Sequence, residues 1–349
     1  MNSLFVEFRD PLFSVIIFFV LIFAITFMSY WWGRYKTKEN SKDLDKFLQQ
    51  FHTLPTENEL KILISSGELS QKSWLLLANS YVKNGDFEKA IEIYLELLRL
   101  PSTTNTKETM YLLGKVYFKA GFLERAKQVF IEILHQSPRT PQALHSLLLV
   151  YEYLRDYKSA LEVLEPLDEM NENIQKDEIY LKTLSLLNNL SLSQEEKVNK
   201  LVLLYQEHHQ LIYMIFEYLF RVNPPLAWKN FDNSQGKVLI DILWSLSPEN
   251  LDLDIISNNI FLRELYSARG DLTLANTSEI FELDMLINLQ SAPVNATLSF
   301  EYTCNQCKNC YPFAFNRCSN CQAIDTQRVE WSVIKDYHKD FSEENNSFQ

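Results

Sequence analysis

All five cysteines of this 349-residue chain fall between positions 304 and 321. Four of them form two equal pairs, Cys304-x2-Cys307 and Cys318-x2-Cys321, separated by ten residues. A C-x2-C hairpin turns two thiolates toward one point, and two hairpins complete a tetrahedron around one metal ion. Zinc is the default occupant of a closed four-thiolate site, and it is favoured here over iron, which the same ligands also hold. Thiol redox chemistry uses a single C-x2-C at a strand–helix junction, so two pairs point away from it. Cys310 stands three residues after Cys307 and outside the pairing, as a free thiol, a packing residue or an alternative ligand. A knuckle this small has little core, so the metal is expected to drive its folding, with Phe300, Tyr302, Phe313, Phe315 and Trp331 packed around it.

Little else in the chain points to chemistry. There are only 7 glycines and no phosphate-cradling glycine cluster. His208-His209 lies in a helical stretch without a carboxylate at metal-binding spacing, and His52, His135, His145 and His338 are scattered. A net charge of −12 argues against nucleic acid as a partner. One tight cysteine cluster, with none left to staple distant segments, implies a reducing compartment. The chain therefore reads as a non-enzyme.

The elements that carry this site are helical. Between Ser70 and Asn173 a pattern recurs: Trp74, Leu77, Ala78, Tyr81, Gly85, Ala90 and Tyr94, then Met110, Leu113, Gly114, Tyr117, Gly121, Ala126, Phe130 and Pro138, then Leu144, Leu147, Tyr151, Ala160 and Leu164. Ala90, Ala126 and Ala160 are spaced by 36 and 34 residues. The units resemble tetratricopeptide repeats, in which small residues let paired helices approach and glycine makes the turn between them. By that resemblance the first helix of each pair lines a concave groove. Asn79, Lys83, Tyr111, Lys115 and Lys119 would stand there, either as a solvated helix face or as a site suited to an extended acidic peptide or a protein C-terminus. Leu75, Val82, Phe118, Ser146 and Tyr153 are further groove positions by the same mapping.

Leu12 to Trp32 is an uncharged run of 21 residues ending in Tyr30, Trp31 and Trp32. As a helix it is roughly 31 Å long, enough to span a bilayer. Arg34, Lys36, Lys38, Lys42 and Lys46 follow it, so the body is expected in the cytoplasm. The predicted organisation is a transmembrane anchor at 1–34, a linker and degenerate helical pair at 35–69, repeats at 70–174, an irregular helical region at 175–298, the knuckle at 299–334 and a disordered tail at 335–349. Tyr266, Gly270 and Ala275 read as remnants of another unit, and Pro224-Pro225 as a helix break. The predicted fold class is all-α: a tetratricopeptide-repeat solenoid with a transmembrane helix and a small rubredoxin-like metal knuckle.

Anchor, repeats and knuckle in this order resemble the lipopolysaccharide assembly protein B family. Trp32-Gly33-Arg34, Gly85-Asp86-Phe87-Glu88-Lys89-Ala90, Gly121-Phe122-Leu123-Glu124-Arg125-Ala126 and the cysteine spacing carry the likeness. That family has glycine after the second cysteine and proline after the third, where this chain has Lys308 and Ser319. The resemblance implies a single-pass adaptor of the bacterial inner membrane that regulates lipopolysaccharide synthesis. It would present the deacetylase of the committed step to the membrane-bound AAA protease FtsH, alongside other lipopolysaccharide assembly proteins. Two other readings remain: a membrane-anchored electron-transfer protein with a four-cysteine iron centre, and a scaffold for another membrane complex.

Overall fold

The computed structural model describes residues 18, 21–28, 62–64, 69–100, 106–292 and 294–336. Residues 21–28 are helical and exposed, and the rest of the expected anchor, apart from Phe18, lies outside the described residues. Among the described residues no helix is long and apolar enough to cross a membrane. Most of the linker at 35–69 and of the tail at 335–349 is likewise outside them. The chain divides into two compact units, 1–170 and 171–349.

The first unit is built of helical pairs: α1 (Gln71–Asn84) with α2 (Phe87–Arg99), α3 (Thr106–Lys119) with α4 (Leu123–Gln136), and α5 (Pro141–Tyr153) with α6 (Tyr157–Glu162) and α7 (Leu164–Asp168). Each pair closes with the same turn. The amides of Asp86, Phe122 and Asp156 donate to the carbonyls of Tyr81, Tyr117 and Tyr151, each at 2.9 Å. This bond needs a left-handed residue just before its donor. Gly85 (φ 84°) and Gly121 (φ 81°) supply it at no steric cost, and Arg155 (φ 59°) takes the same place in the third pair. Ala78, Ala90, Ala126 and Ala160 are fully buried where the helices approach. Gly114 is a closer case: a Cβ there would lie 2.6 Å from the Phe130 ring, so α3 and α4 meet at a distance only glycine permits.

The first helices of successive pairs are tied along one side. Gln71 donates to the Thr109 hydroxyl at 3.4 Å, and Ser146 to the Tyr111 hydroxyl at 3.5 Å. The Phe118 and Tyr153 rings meet edge to face at 5.1 Å.

The second unit holds α8 (Gln175–Asn188), α9 (Gln194–His208), α10 (Ile212–Val222), α11 (Pro224–Asn230), α12 (Ile240–Ser245), α13 (Leu253–Asn258), α14 (Ile260–Arg269) and α15 (Phe281–Leu289). Pro224-Pro225 ends α10 and also opens α11, because proline is tolerated in a first helical turn. The side chain of Asn223 caps that new helix by accepting from the Leu226 amide. α12 begins at Ile240, after the short 3-10 turn Asn233–Gln235. Tyr266, Gly270 (φ 89°) and Asp271 repeat the inter-helix turn of the first unit, with the Asp271 amide donating to the Tyr266 carbonyl at 3.2 Å. No second helix follows directly. Ser267 Oγ accepts from the Leu274 and Ala275 amides, holding an irregular segment before α15.

The all-α expectation needs correction. Beside its helices this unit has a three-stranded antiparallel sheet of order β2-β1-β3, made of β1 (Ala296–Cys304), β2 (Cys310–Tyr311) and β3 (Gln327–Lys335). β1 and β3 pair along their whole length, from Ala296 opposite Lys335 to Cys304 opposite Gln327. Leu298, Val329 and Ile324 join the helical residues Leu201, Phe216, Leu243, Leu265 and Leu283 in one buried core. The sheet thus has an apolar base in the helical core, beside whatever a metal ion would add at the cysteines.

Candidate metal centre

Cys304 is the last residue of β1, and the chain turns through Cys307 into β2. Cys318 and Cys321 sit in a second turn, closed by a bridge between Arg317 and Ile324. The two turns have matching hydrogen bonds. The Lys308 amide donates to the Cys304 carbonyl and the Gln322 amide to the Cys318 carbonyl, both at 2.8 Å. The Cys304 and Cys318 amides donate to the carbonyls of Asn309 and Ala323, both at 2.9 Å. Lys308 (φ 61°) and Gln322 (φ 63°), each the residue after a pair, adopt the left-handed conformation. The turn is thus made without a glycine at position 308.

The four sulfurs converge, all within 4.8 Å of one another, and among the described residues they form the group able to hold a metal. Cys304 Sγ lies 3.7 Å from Cys321 Sγ, and Cys307 Sγ lies 3.6 Å from Cys318 Sγ. A tetrahedron with metal–sulfur bonds of about 2.3 Å has edges of about 3.8 Å, so the donor set and its spacing fit one zinc or iron ion. Cys304 and Cys318 are buried, while Cys310 on β2 is exposed and stands outside the group.

Two supporting side chains carry no sequence signal of their own. Thr326 Oγ1 is 3.3 Å from Cys304 Sγ, and the Tyr311 hydroxyl is 3.2 Å from Cys318 Sγ. Burial alone would raise the Cys304 thiol. The Cys307 and Gln306 amides and the Thr326 hydroxyl outweigh it and bring it down to about 6. Cys318 is lowered in the same way, against its own burial, by the Cys321 amide and the Tyr311 hydroxyl. At Cys321 the Ala323 amide pulls downward, but burial and the contacts with Cys318, Cys304 and Cys307 prevail and push it up to about 12. Such a set favours a cation, because the thiols of Cys304 and Cys318 are both shifted toward the thiolate.

The surroundings hold this loop in place. Arg317 donates to the Gln322 carbonyl at 2.9 Å, pairs with Asp177 at 3.1 Å and stacks on Tyr180 at 5.0 Å. Phe315 packs on Tyr311 at 4.8 Å. Phe300, Tyr302 and Trp331, expected around the cysteines, pack against the helical core. Phe313 packs on nothing comparable and is 79% exposed.

The groove residues belong to the other unit. Asn79, Lys83, Lys115 and Lys119 are exposed, and Tyr111 is half-buried with the Lys115 ammonium 5.6 Å above its ring. The contacts between Tyr111 and Ser146 and between Phe118 and Tyr153 join positions that the repeat pattern assigns to the groove.

Residues 73–108 match the family model described as tetratricopeptide repeat. No curated protein matches the chain. Among solved structures, MamA (residues 41 to the end) from Desulfovibrio magneticus RS-1 is similar at 21% identity, over 46% of this chain and 90% of its own, with a TM-score of 0.35. A tetratricopeptide repeat protein from Parabacteroides merdae matches at 15% identity, over 72% of this chain and 97% of its own, with a TM-score of 0.37. YrrB, described as a TPR protein with an unusual peptide-binding site, matches at 19% identity, over 59% and 97%, with a TM-score of 0.32. The family match covers residues 73–108, and the turn that closes the helical pair there recurs in the next two pairs.

Proposed function

We propose that this chain is a non-catalytic adaptor of the bacterial inner membrane that regulates lipopolysaccharide biosynthesis. In this reading residues 12–32 anchor it with the body in the cytoplasm. The repeats hold a client, the deacetylase of the committed step, beside the membrane AAA protease FtsH. The four-cysteine centre, carrying zinc, fixes the outer loops of the second unit as a rigid surface.

The observation that most supports an adaptor is the stacking of the first helices of the repeats, with Asn79, Lys83, Lys115 and Lys119 left exposed. Solenoids bind partners along such a face, and basic groups there favour an acidic segment through charge-assisted hydrogen bonds. The lipopolysaccharide assignment rests on the family resemblance of the anchor, repeats and knuckle. Crosslinking in membranes, followed by pull-down and mass spectrometry, tests both levels. Recovery of the protease and the deacetylase supports the full reading. Recovery of a different membrane complex removes the lipopolysaccharide assignment, and loss of client with Lys83→Glu plus Lys119→Glu locates the contact in the groove. Undiminished recovery with that double variant overturns the groove as the binding face.

A further inference from the structure

β3 is an edge strand. In the order β2-β1-β3 it pairs with β1 on one side and, among the described residues, with no strand on the other. The Asn305 amide donates to the Thr326 carbonyl at 2.7 Å, and the Asp336 amide to the Asn295 carbonyl at 2.9 Å, one bond beyond each end of the pairing. These bonds fix the phase of the ladder. The even-numbered residues of β3 turn their amides and carbonyls to β1, and Gln327, Val329, Trp331 and Val333 turn theirs to the open side. An open cleft of about 370 Å³ runs there, lined by residues 327–331 with Lys237, Val238 and Glu282 beside them. Successive strand residues point to opposite faces, so a cleft that all of 327–331 share lies along the edge and not on one face.

An open edge is a template for a further strand, and proline, a bulge or charge commonly guards it. β3 has no proline, and its register with β1 is unbroken from Gln327 to Lys335. Its charges at the cleft are Arg328 and Glu330, whose side chains are 64% and 48% exposed and lie 3.2 Å apart. Their order is self-complementary. In an antiparallel pair of two such strands centred on Val329, Arg328 stands opposite the second copy's Glu330, and Glu330 opposite its Arg328. Both pairs fall at the closely spaced positions of the ladder, where cross-strand side chains interact most, while the open groups of Gln327, Val329 and Trp331 exchange the hydrogen bonds. Other registers lose this. Centring on Arg328 or Glu330 opposes like charges, centring on Trp331 or Ser332 sets Glu330 against Ser332 or Ile334, and centring on Val333 sets it against Asp336.

We infer that the free edge of β3 docks a second copy of this chain, strand against strand about Val329, joining the two sheets into one of order β2-β1-β3-β3-β1-β2. The contact is two-fold symmetric, so the same residues serve both copies. The charges that would repel an unmatched strand select this one. The edge belongs to the second unit and uses none of the repeat residues, so a pair of chains keeps both sets of repeats for other partners. The inference does not depend on which pathway the adaptor serves.

Co-capture of two differently tagged preparations of the full-length protein in detergent tests it, with charge reversals at the two exposed positions. The parent is expected to capture itself. Arg328→Glu sets two pairs of glutamates face to face and Glu330→Arg two pairs of arginines, so each variant is expected to capture itself about fivefold less than the parent does. The two variants mixed together oppose glutamate to arginine at both positions, and their co-capture is expected to return to the parent level. The double variant Arg328→Glu with Glu330→Arg restores both pairs within one chain and should capture itself as the parent does. Parent protein that fails to capture itself overturns the inference. So does self-capture that is equal in the parent and both single variants, which would put the association elsewhere in the chain. A mixture captured no better than either variant alone overturns the register about Val329 and the inference with it.

Discussion

Lys308 and Gln322 show how much of the metal centre is decided by single backbone positions. Each follows a cysteine pair and takes a positive φ that lets its amide reach back to the first cysteine of the pair. Thr326 and Tyr311 then add hydroxyl contacts to Cys304 and Cys318 that reinforce the downward pull of the backbone amides on their thiols. Cys310, a residue of identical chemistry, is left out because β2 pairs Cys310 with Thr303 and exposes it. This separates the five cysteines experimentally. Cys318→Ser is expected to abolish stoichiometric metal, because three thiolates and a neutral hydroxyl cannot close the tetrahedron. Cys310→Ser should keep the metal at one ion per chain. Elemental analysis of the purified proteins reads both, and it also names the ion: zinc without colour agrees with a structural centre, whereas iron with a visible absorption band restores the electron-transfer reading. Metal lost in Cys310→Ser would show that the ligand set has been assigned wrongly.

At the scale of helices and strands, the repeat motif was legible because it encodes geometry directly. The small residue, the tyrosine and the left-handed turn each recur at fixed offsets, and the structure puts one hydrogen bond on that turn in all three pairs. Arg155 broke the glycine pattern yet kept the turn, so a search for glycine alone would have missed it. Gly114 offers a direct test of the packing. Gly114→Ala drives a methyl group into the Phe130 ring and should cost about 1–3 kcal/mol, although alanine is the better helix former. Thermal melting should show the loss, and adding Phe130→Leu should recover part of it. A more stable Gly114→Ala protein would mean that α3 and α4 are not in that contact. Tyr94 on α2 gives a second test. It is buried, and desolvation pushes its hydroxyl up to about 12, against an ordinary value of 10. The unfolded chain then releases a proton that the folded chain keeps. The stability tied to this group is complete below pH 10 and falls as pH rises toward 12, at about 1.4 kcal/mol per pH unit. Denaturant titrations across that window should show a shallower decline in Tyr94→Phe than in the parent.

The whole molecule was harder to read, for a physical reason. Cysteine spacing announces ligands, and the strand signal beneath them lay in a period-two alternation on either side of the cysteines that the all-α reading passed over. Leu298, Phe300 and Tyr302 alternate with Ser299, Glu301 and Thr303, and Val329, Trp331 and Val333 with Glu330 and Ser332, the period of two half-buried strands whose apolar face meets the helical core. The pairing joins segments more than twenty residues apart, which local periodicity does not register.

The adaptor reading makes its strongest demand at this scale, because an adaptor acts by position. The repeat unit and the second unit each carry their own core, and the described cores draw on residues from Ile64 onward. A chain lacking residues 1–35 is therefore expected to be soluble and folded, with the melting profile and metal content of the parent. If residues 12–32 serve to hold the body beside a membrane protease, this soluble chain should still bind its client in pull-downs yet fail to restore client turnover in cells. Fusing an unrelated single-pass helix in place of residues 12–32 should restore turnover, since in this mechanism the anchor contributes proximity and no specific contact. Full turnover with the soluble chain would place the mechanism in the cytoplasm. Failure of the swapped anchor, with the protein correctly inserted, would instead make the sequence of residues 12–32 itself a recognition element for the membrane partner.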